Sequence, residues 1–267
     1  MFQNIFEPIA TSFRHRELLL GFVSRELKGR FAGTFAGIIW ALLSPVATML
    51  AYILVFSIII RMQVTVEEVG TNVYWIYFLT GLFPWLIFSE GISKATSVIN
   101  NNANLVTKVV FPVVLLPTST VISSFIINGI GMSVLLIYLL AHGYLAYQWI
   151  LIPVIGVFHF IMTLGLALIL SSLCVYLRDI NELIGIIIML WFFSTPIIYP
   201  ISIVPEKYIN IIKINPIYWL VQGYRDIILK GDINLITIIT IIISSVVMYI
   251  LGSLIFMKIK NGFADVL

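Results

Sequence analysis

"SRELKGRFAGTFAGIIWALLSP", residues 24–45, divides into two chemistries at Arg30. Before that point it is densely charged; from Phe31 onward no Asp, Glu, Lys or Arg appears until Arg61. Glycine recurs at Gly29, Gly33 and Gly37, and Ala41 continues the row. On a continuous helix this small-residue ridge would let another helix backbone approach closely, as small-xxx-small patterns do in membranes. A second ridge, Trp40, Ser44, Thr48, Tyr52 and Phe56, mixes aromatic and hydroxyl groups. It fits either a partly wet interior or ordinary packing between membrane helices.

The rest of the chain extends the apolar half of that pattern. Of its 267 residues, 61% are hydrophobic and 10% charged, and the mean hydropathy is +1.10. Soluble domains are about 45–50% apolar and about 25% charged, so this composition specifies an integral membrane protein. Charge-free stretches cover 31–60, 69–89, 109–177, 183–205 and 233–257. A crossing needs about 20 apolar residues. The 109–177 stretch divides at the polar, Gly-containing turn "AHGYLAYQW" (141–149), which gives six crossings and places both termini on one side. Ten basic residues then fall on the terminal side and five on the other, Arg61, Lys207, Lys213, Arg225 and Lys230. The positive-inside rule therefore makes the termini cytoplasmic.

Residues 12–30 read as one amphipathic helix, with Leu18, Leu19, Phe22, Val23 and Leu27 on one side and Arg14, Arg25 and Lys28 opposite. Glu26 and Arg30 fall on the apolar side and spoil the separation. Such a helix lies in the membrane interface, where it either anchors the topology or docks a cytoplasmic partner. At the other side of the membrane, residues 196–232 are interrupted by Pro196, Pro200, Pro205 and Pro216. The apolar pieces between them are too short to span. They form either a surface loop or a pair of short re-entrant helices, which protein or a wet cavity must cover. The chain thus falls into an N-terminal cytoplasmic segment (1–30), a transmembrane part (31–257) and a C-terminal tail (258–267).

The catalytic chemistry is sparse. The sequence has no G-x-x-x-x-G-K-[ST] phosphate loop and no H-E-x-x-H pair, and its three histidines are widely separated. The single Cys174 reads as a small core residue. Glu90 and Lys94 are the charges embedded in a span; acid first at i,i+4, they fit an intrahelical pair better than an ion relay. Asp179 and Glu182 are a thin candidate for an enzymatic carboxylate pair. An ion-coupled carrier would need ionisable groups deeper in the spans.

Taken in order, "RELKGRFAGTFAGIIWALLSP" (25–45), "NANLVTKVVFP" (102–112), "YLRDI" (176–180), "STPIIYP" (194–200), "NPIYWLVQGYRDIILKG" (215–231) and "KIKNGFADVL" (258–267) resemble the membrane subunits of ABC-type polysaccharide exporters. The resemblance implies a homodimeric, channel-forming permease of the inner membrane. Its partners would be two copies of a separate ATPase subunit, which would bind ATP and Mg; no cofactor is expected in this chain. The cargo would be a lipid-linked polysaccharide of the O-antigen or capsular type, with teichoic acid, lipid or drug as alternatives. It further implies that Arg25, Lys28, Asn104, Leu105 and Lys108 touch the ATPase. An outer gate would contain Pro196, Tyr199, Asn215, Pro216, Tyr218, Trp219 and Arg225. Aromatic residues would line the sugar path, Trp40, Tyr52 and Phe56 on the first span, Trp75 and Phe78 on the second, and Trp191 and Phe192 on the fifth, with Ser44 and Thr48 between them. Flat rings offer weak, repeated contacts to the C–H faces of sugars.

Overall fold

The computed structural model describes residues 2–35, 37–60, 64–144, 146–232 and 234–267, and no strand occurs among them. Arg61, counted above on the outer side, lies outside the described residues. Two helices open the chain, α1 (Phe2–Arg14) and α2 (Arg16–Phe31). The single helix expected over 12–30 is therefore bent at His15, whose φ of −108° and ψ of 37° leave the helical region.

The expected glycine ridge does not form. Gly33 and Gly37 adopt φ of +75° and +52°, left-handed values that a helix cannot contain. They turn the chain between α2 and α3 (Trp40–Ile53), which a π-helical turn extends over Leu54–Ile59. A Cβ at Gly29, Gly33 or Gly37 would meet nothing within 4 Å. Gly33 and Gly37 mark a joint, and Gly29 lies within α2.

After the short α4 (Val66–Val69) comes α5 (Tyr74–Asn101), the central helix of the bundle. It is followed by α6 (Ala103–Lys108), α7 (Leu115–Ala141) and α8 (Ile152–Tyr176). The turn expected at 141–149 lies between α7 and α8, with Gly143 at φ +81°. Then come α9 (Ile180–Ser194), α10 (Glu206–Ile214), α11 (Pro216–Arg225), α12 (Leu235–Ile259) and α13 (Phe263–Val266). Among the described residues, five helical segments are long and apolar enough to cross a membrane: Trp40–Ile59, Tyr74–Asn101, Leu115–Ala141, Tyr147–Tyr176 and Leu235–Val266. The stretch expected as the fifth crossing, 183–205, is α-helical only to Ser194, with a single 3-10 turn at Ile201–Ile203 beyond it. At about 1.5 Å per residue, the 15 residues of α9 reach about 22 Å, short of a hydrocarbon core of about 30 Å.

Close helix approach does occur, but at the α8–α12 crossing. A Cβ on Gly165 would lie 2.5 Å from the backbone of Met248, and one on Gly252 would strike the backbone of Gly165. In α7, where polar residues are frequent and buried, hydroxyls bond back to the helix (Thr118 Oγ1 to the Val114 carbonyl, 2.8 Å; Thr120 Oγ1 to that of Leu116, 3.1 Å). Ser124 Oγ instead crosses to the Ile87 carbonyl of α5 at 2.7 Å. In a medium without water a hydroxyl gains from such a partner, although Ser123 Oγ of the same helix is buried without one.

Both termini pack at one end of the bundle. Lys260 Nζ meets Glu7 Oε1 at 3.0 Å, and the Ser253 hydroxyl donates to the Ile5 carbonyl at 2.9 Å. Phe256 and Phe263 cluster there with Ile5 and Ile9. This is called the terminal end below, and the opposite one the far end.

Candidate functional site

The far end is organised by one cation. Arg225, the last residue of α11, is 3% exposed. Its guanidinium donates to Tyr77 Oη (2.9 Å), to the Pro196 carbonyl (2.6 Å) and to the Ile197 carbonyl (2.8 Å), and lies 3.8 Å over the Tyr77 ring. Tyr77 Oη in turn donates to the Tyr199 carbonyl at 3.0 Å, and Tyr74 Oη to that of Ile198. The irregular backbone of 196–199 thus has its carbonyls satisfied by α5 and α11, as depth in a membrane requires. Gly81 makes room for this cation, since a Cβ there would stand 2.5 Å from Arg225 Nη2.

Asn215 closes the second half of the far end. Its carbonyl caps α11 by accepting from Ile217 N (3.0 Å) and also accepts from Trp191 Nε1 (2.8 Å). Its amide donates to Thr195 Oγ1 (2.8 Å). Pro216 occupies the first position of α11, where a missing N–H costs nothing. Tyr218 and Trp219 pack edge to face at 5.2 Å. Of the seven residues named for an outer gate, Pro196, Tyr199 and Arg225 are joined through Tyr77 of α5, Asn215 is tied to Trp191 and Thr195, Pro216 follows it at the start of α11, and the Trp219 indole donates to the Lys213 carbonyl at 2.6 Å. The two short helices behave differently, α11 being largely buried and α10 mostly exposed.

The aromatic candidates fall in four places. Tyr52 and Phe56 pack at a tilt on Phe78, with ring centroids at 4.6 and 5.1 Å, and Phe56 also meets Tyr74 at 4.8 Å. Trp191 and Phe192 pack on Trp85 and Phe88 of α5, Trp191–Phe88 being edge to face at 5.3 Å. Trp75 points elsewhere and packs on Tyr138 at 5.1 Å inside the core. Trp40, Ser44 and Thr48 line a cavity of about 230 Å³ that also contains Arg30, Glu90 and Asn128. Mixed polar and aromatic walls of this kind suit a hydroxylated ligand better than a lipid tail.

At the terminal end, the two misfits of α2 find their reason. Leu19 and Val23 bury against Leu115 with Phe22, Leu27 and Ile122 around them. Arg30, on the same side, pairs with Glu90 of α5. Glu90 also holds Lys94 at 2.7 Å, the expected intrahelical pair, and accepts from Asn128 Nδ2 of α7 at 2.8 Å. Glu26 lies beside Lys94 and Thr120, and burial pushes its carboxyl up. Arg30 and Asn128 belong to this cluster and escaped the sequence reading, because nothing in local spacing relates residue 30 to 90. The imperfect amphipathicity of α2 was the available signal.

The residues named for an ATPase contact share this end. Arg25 Nη2 donates to Asn102 Oδ1 at 3.0 Å, joining α2 to the residue that precedes α6. Lys28, Asn104 and Lys108 are exposed and Leu105 is half-buried, with exposed Val109 and Val110 next to them. Cys174 is buried and free. Among the described residues no group of three or more His, Cys, Asp or Glu could hold a metal.

A bundle of long apolar helices whose irregular backbone at one end is satisfied from within is the architecture of a polytopic membrane protein. The chain belongs to the ABC-2 type transporter family, whose profile matches residues 17–229. It is 32% identical over 222 residues to the O-antigen export system permease protein RfbA of Myxococcus xanthus, covering 80% of this chain and 81% of that protein. It is also 29% identical over 254 residues to the protein of that name from Klebsiella pneumoniae, covering 94% and 95%. The polysialic acid transport protein KpsM of Escherichia coli is 23% identical over 219 residues, covering 79% of this chain and 80% of that protein.

Proposed function

We propose that this chain is the permease of an ATP-driven exporter that moves a lipid-linked polysaccharide of the O-antigen or capsular type across the cytoplasmic membrane. The observation that carries the reading is the end-to-end similarity to O-antigen export permeases, which extends over 94% of the chain. Two copies of the chain would enclose the path, and two copies of a separate ATPase would bind ATP and Mg and engage the terminal end. Six crossings follow if α9 and the turn after it count as the fifth, with the termini in the cytoplasm. The basic residues of α2 and of the 99–112 segment support that orientation.

The parts then have distinct tasks. The surface made by α2 and α6, with Arg25, Lys28, Asn104, Leu105 and Lys108, receives the motor's push. The Arg225 assembly holds 196–231 as a gate of two short helices. The Trp40–Thr48 cavity and the ring clusters at Tyr52–Phe56–Phe78 and Trp191–Phe192 offer the sugar chain weak, repeated contacts. A polymer in transit must not be held tightly at any one of them.

The test is deletion and complementation. A strain lacking this chain is expected to accumulate the polymer inside and lose it from the surface, and the wild-type chain restores export only when the ATPase is present. Export that persists without any ATPase, driven by a proton gradient, would overturn the reading. Cysteine pairs placed across two copies within 196–230 and oxidised are expected to stop export while ATP hydrolysis continues. Normal export with those pairs locked would reduce the segment to a surface loop.

A further inference from the structure

Behind α2, where it leans on α5 and α7, lies a cavity of about 390 Å³ that shares only Arg25 with the ATPase-contact surface described above. Its walls are of two kinds. Phe22, Val98 and Leu116 contribute apolar wall, Arg25, Arg30 and Lys94 contribute positive charge, and Ser97, Ser119 and Thr120 also line the cavity. Two carboxylates stand near these three cations. Glu90 is shared by Arg30 and Lys94 and also bonded by Asn128. Glu26 lines the cavity, and burial favours its uncharged form. Arg25 donates to the neutral Asn102 amide and has the Phe22 ring at 5.0 Å. The cavity therefore carries surplus positive charge next to an apolar wall. It sits where the charged helix meets the charge-free spans, which is head-group depth.

We propose that this cavity binds the phosphate head group of a membrane amphiphile, with Arg25 and Lys94 on the phosphate oxygens and Phe22, Val98 and Leu116 against the start of the lipid chain. Arginine and lysine are the side chains that recognise phosphate, and the volume falls within the usual range of small-ligand pockets, about 300–1,000 Å³. Two lipids carry this chemistry. One is an anionic phospholipid of the inner leaflet. The other is the phosphate linker of a lipid-borne cargo, and only that source rests on the proposed function.

Native mass spectrometry of the purified full-length chain, released from neutral detergent, separates them. The probes are phosphatidylglycerol, phosphatidylcholine and a polyprenyl diphosphate, each titrated alone. One or both of the anionic probes are expected to be retained about tenfold more than phosphatidylcholine, in line with the attraction of two or three cations. Preference for phosphatidylglycerol assigns a structural lipid, and preference for the diphosphate assigns a cargo-entry site. The Arg25→Gln/Lys94→Gln double variant is expected to abolish the preference, while Arg25→Lys keeps it. Should the double variant melt early, Gly29→Leu decides. Gly29 lines the cavity in helical backbone, and its added Cβ meets nothing within 4 Å, so the leucine fills the space and leaves every charge in place. Equal retention of all three probes, or unchanged retention in Gly29→Leu, overturns the proposal. Failure of export in cells would leave the phosphatidylglycerol result standing, so the two readings fall separately.

Discussion

In the most apolar part of Trp40–Ile59, 11% of residues are buried inside the protein; in that of Tyr74–Asn101, 83% are. The ranking of hydropathy runs the opposite way, 2.2 for the bare segment and 1.3 for the enclosed one. Water would reverse this, driving the greasier helix inward. A bilayer is as apolar as leucine, so helices there associate through close packing, ring contacts and hydrogen bonds. The Tyr74–Asn101 helix carries what such association uses: Tyr74, Tyr77, Trp85 and Phe88 for rings, Gly81 for the Arg225 guanidinium, and Glu90 for three donors. Trp40–Ile59 presents Leu42, Leu43, Leu50, Leu54, Ile58 and Ile59 outward. A membrane helix poor in hydropathy and rich in Tyr, Trp and Gly is the one to expect at the centre.

The sharpest way to break that contrast is to truncate one side chain on each helix. Phe88→Ala removes a fully buried ring and is expected to cost about 3–5 kcal/mol. Leu50→Ala, on the exposed face, should stay within about 0.5 kcal/mol. Reversible unfolding in mixed micelles measures both, and equal losses would mean that the two helices are equally enclosed.

Arg225→Ala tests whether polar links, and not only rings, embed the central helix. It deprives Tyr77 Oη and the Pro196 and Ile197 carbonyls of a donor, with an expected loss of about 2–3 kcal/mol. Faster hydrogen exchange over 196–199 should accompany it. Arg225→Lys, with one ammonium in place of a fork, is expected to recover less than half.

A smaller effect belongs to the joint that starts the bare span. Gly33→Ala forces a side chain onto φ +75° and should cost about 1 kcal/mol, although the space around it is open. A neutral result, seen as an unchanged melting temperature, would show that the joint is free to straighten into the ridge the sequence pattern describes.

The smallest expected effect concerns the link between α2 and the central helix. The Glu26 carboxyl is raised above its ordinary value by burial, so its charged form is penalised in the folded protein and the penalty is relieved as pH falls through the raised pKa. Glu26→Gln is therefore expected to stabilise slightly at neutral pH and to remove the gain in stability that the wild type shows on acidification from the raised pKa down to the ordinary carboxylate range. Melting curves at two pH values check it, and a variant destabilised at neutral pH would show that Lys94 and Thr120 outweigh the burial.

Much of the site was legible as segments and little of it as contacts. The prolines of 196–216 announced broken backbone, yet only the fold brings Arg225 to Tyr77, 148 residues earlier. The Glu90–Lys94 pair follows from helical spacing, whereas Arg30 joins it across 60 residues. Gly29, Gly33 and Gly37 repeat regularly and make a turn; Gly165 and Gly252 carry no pattern and make the tightest crossing. Periodicity reports on a helix that has been assumed, and a left-handed glycine ends the assumption.

By itself the amino-acid sequence determined that this protein lives in a bilayer, where most of its long apolar helices lie along the chain and which end carries the basic helix. Those features depend on sums over local stretches, of hydropathy, charge and turn residues, which need no knowledge of contacts between distant residues. The tertiary structure decided which helix is enclosed, which aromatic rings meet and which charges are paired. In a medium that does not rank apolar helices, that choice rests on shape and on single hydrogen bonds between residues far apart in the chain.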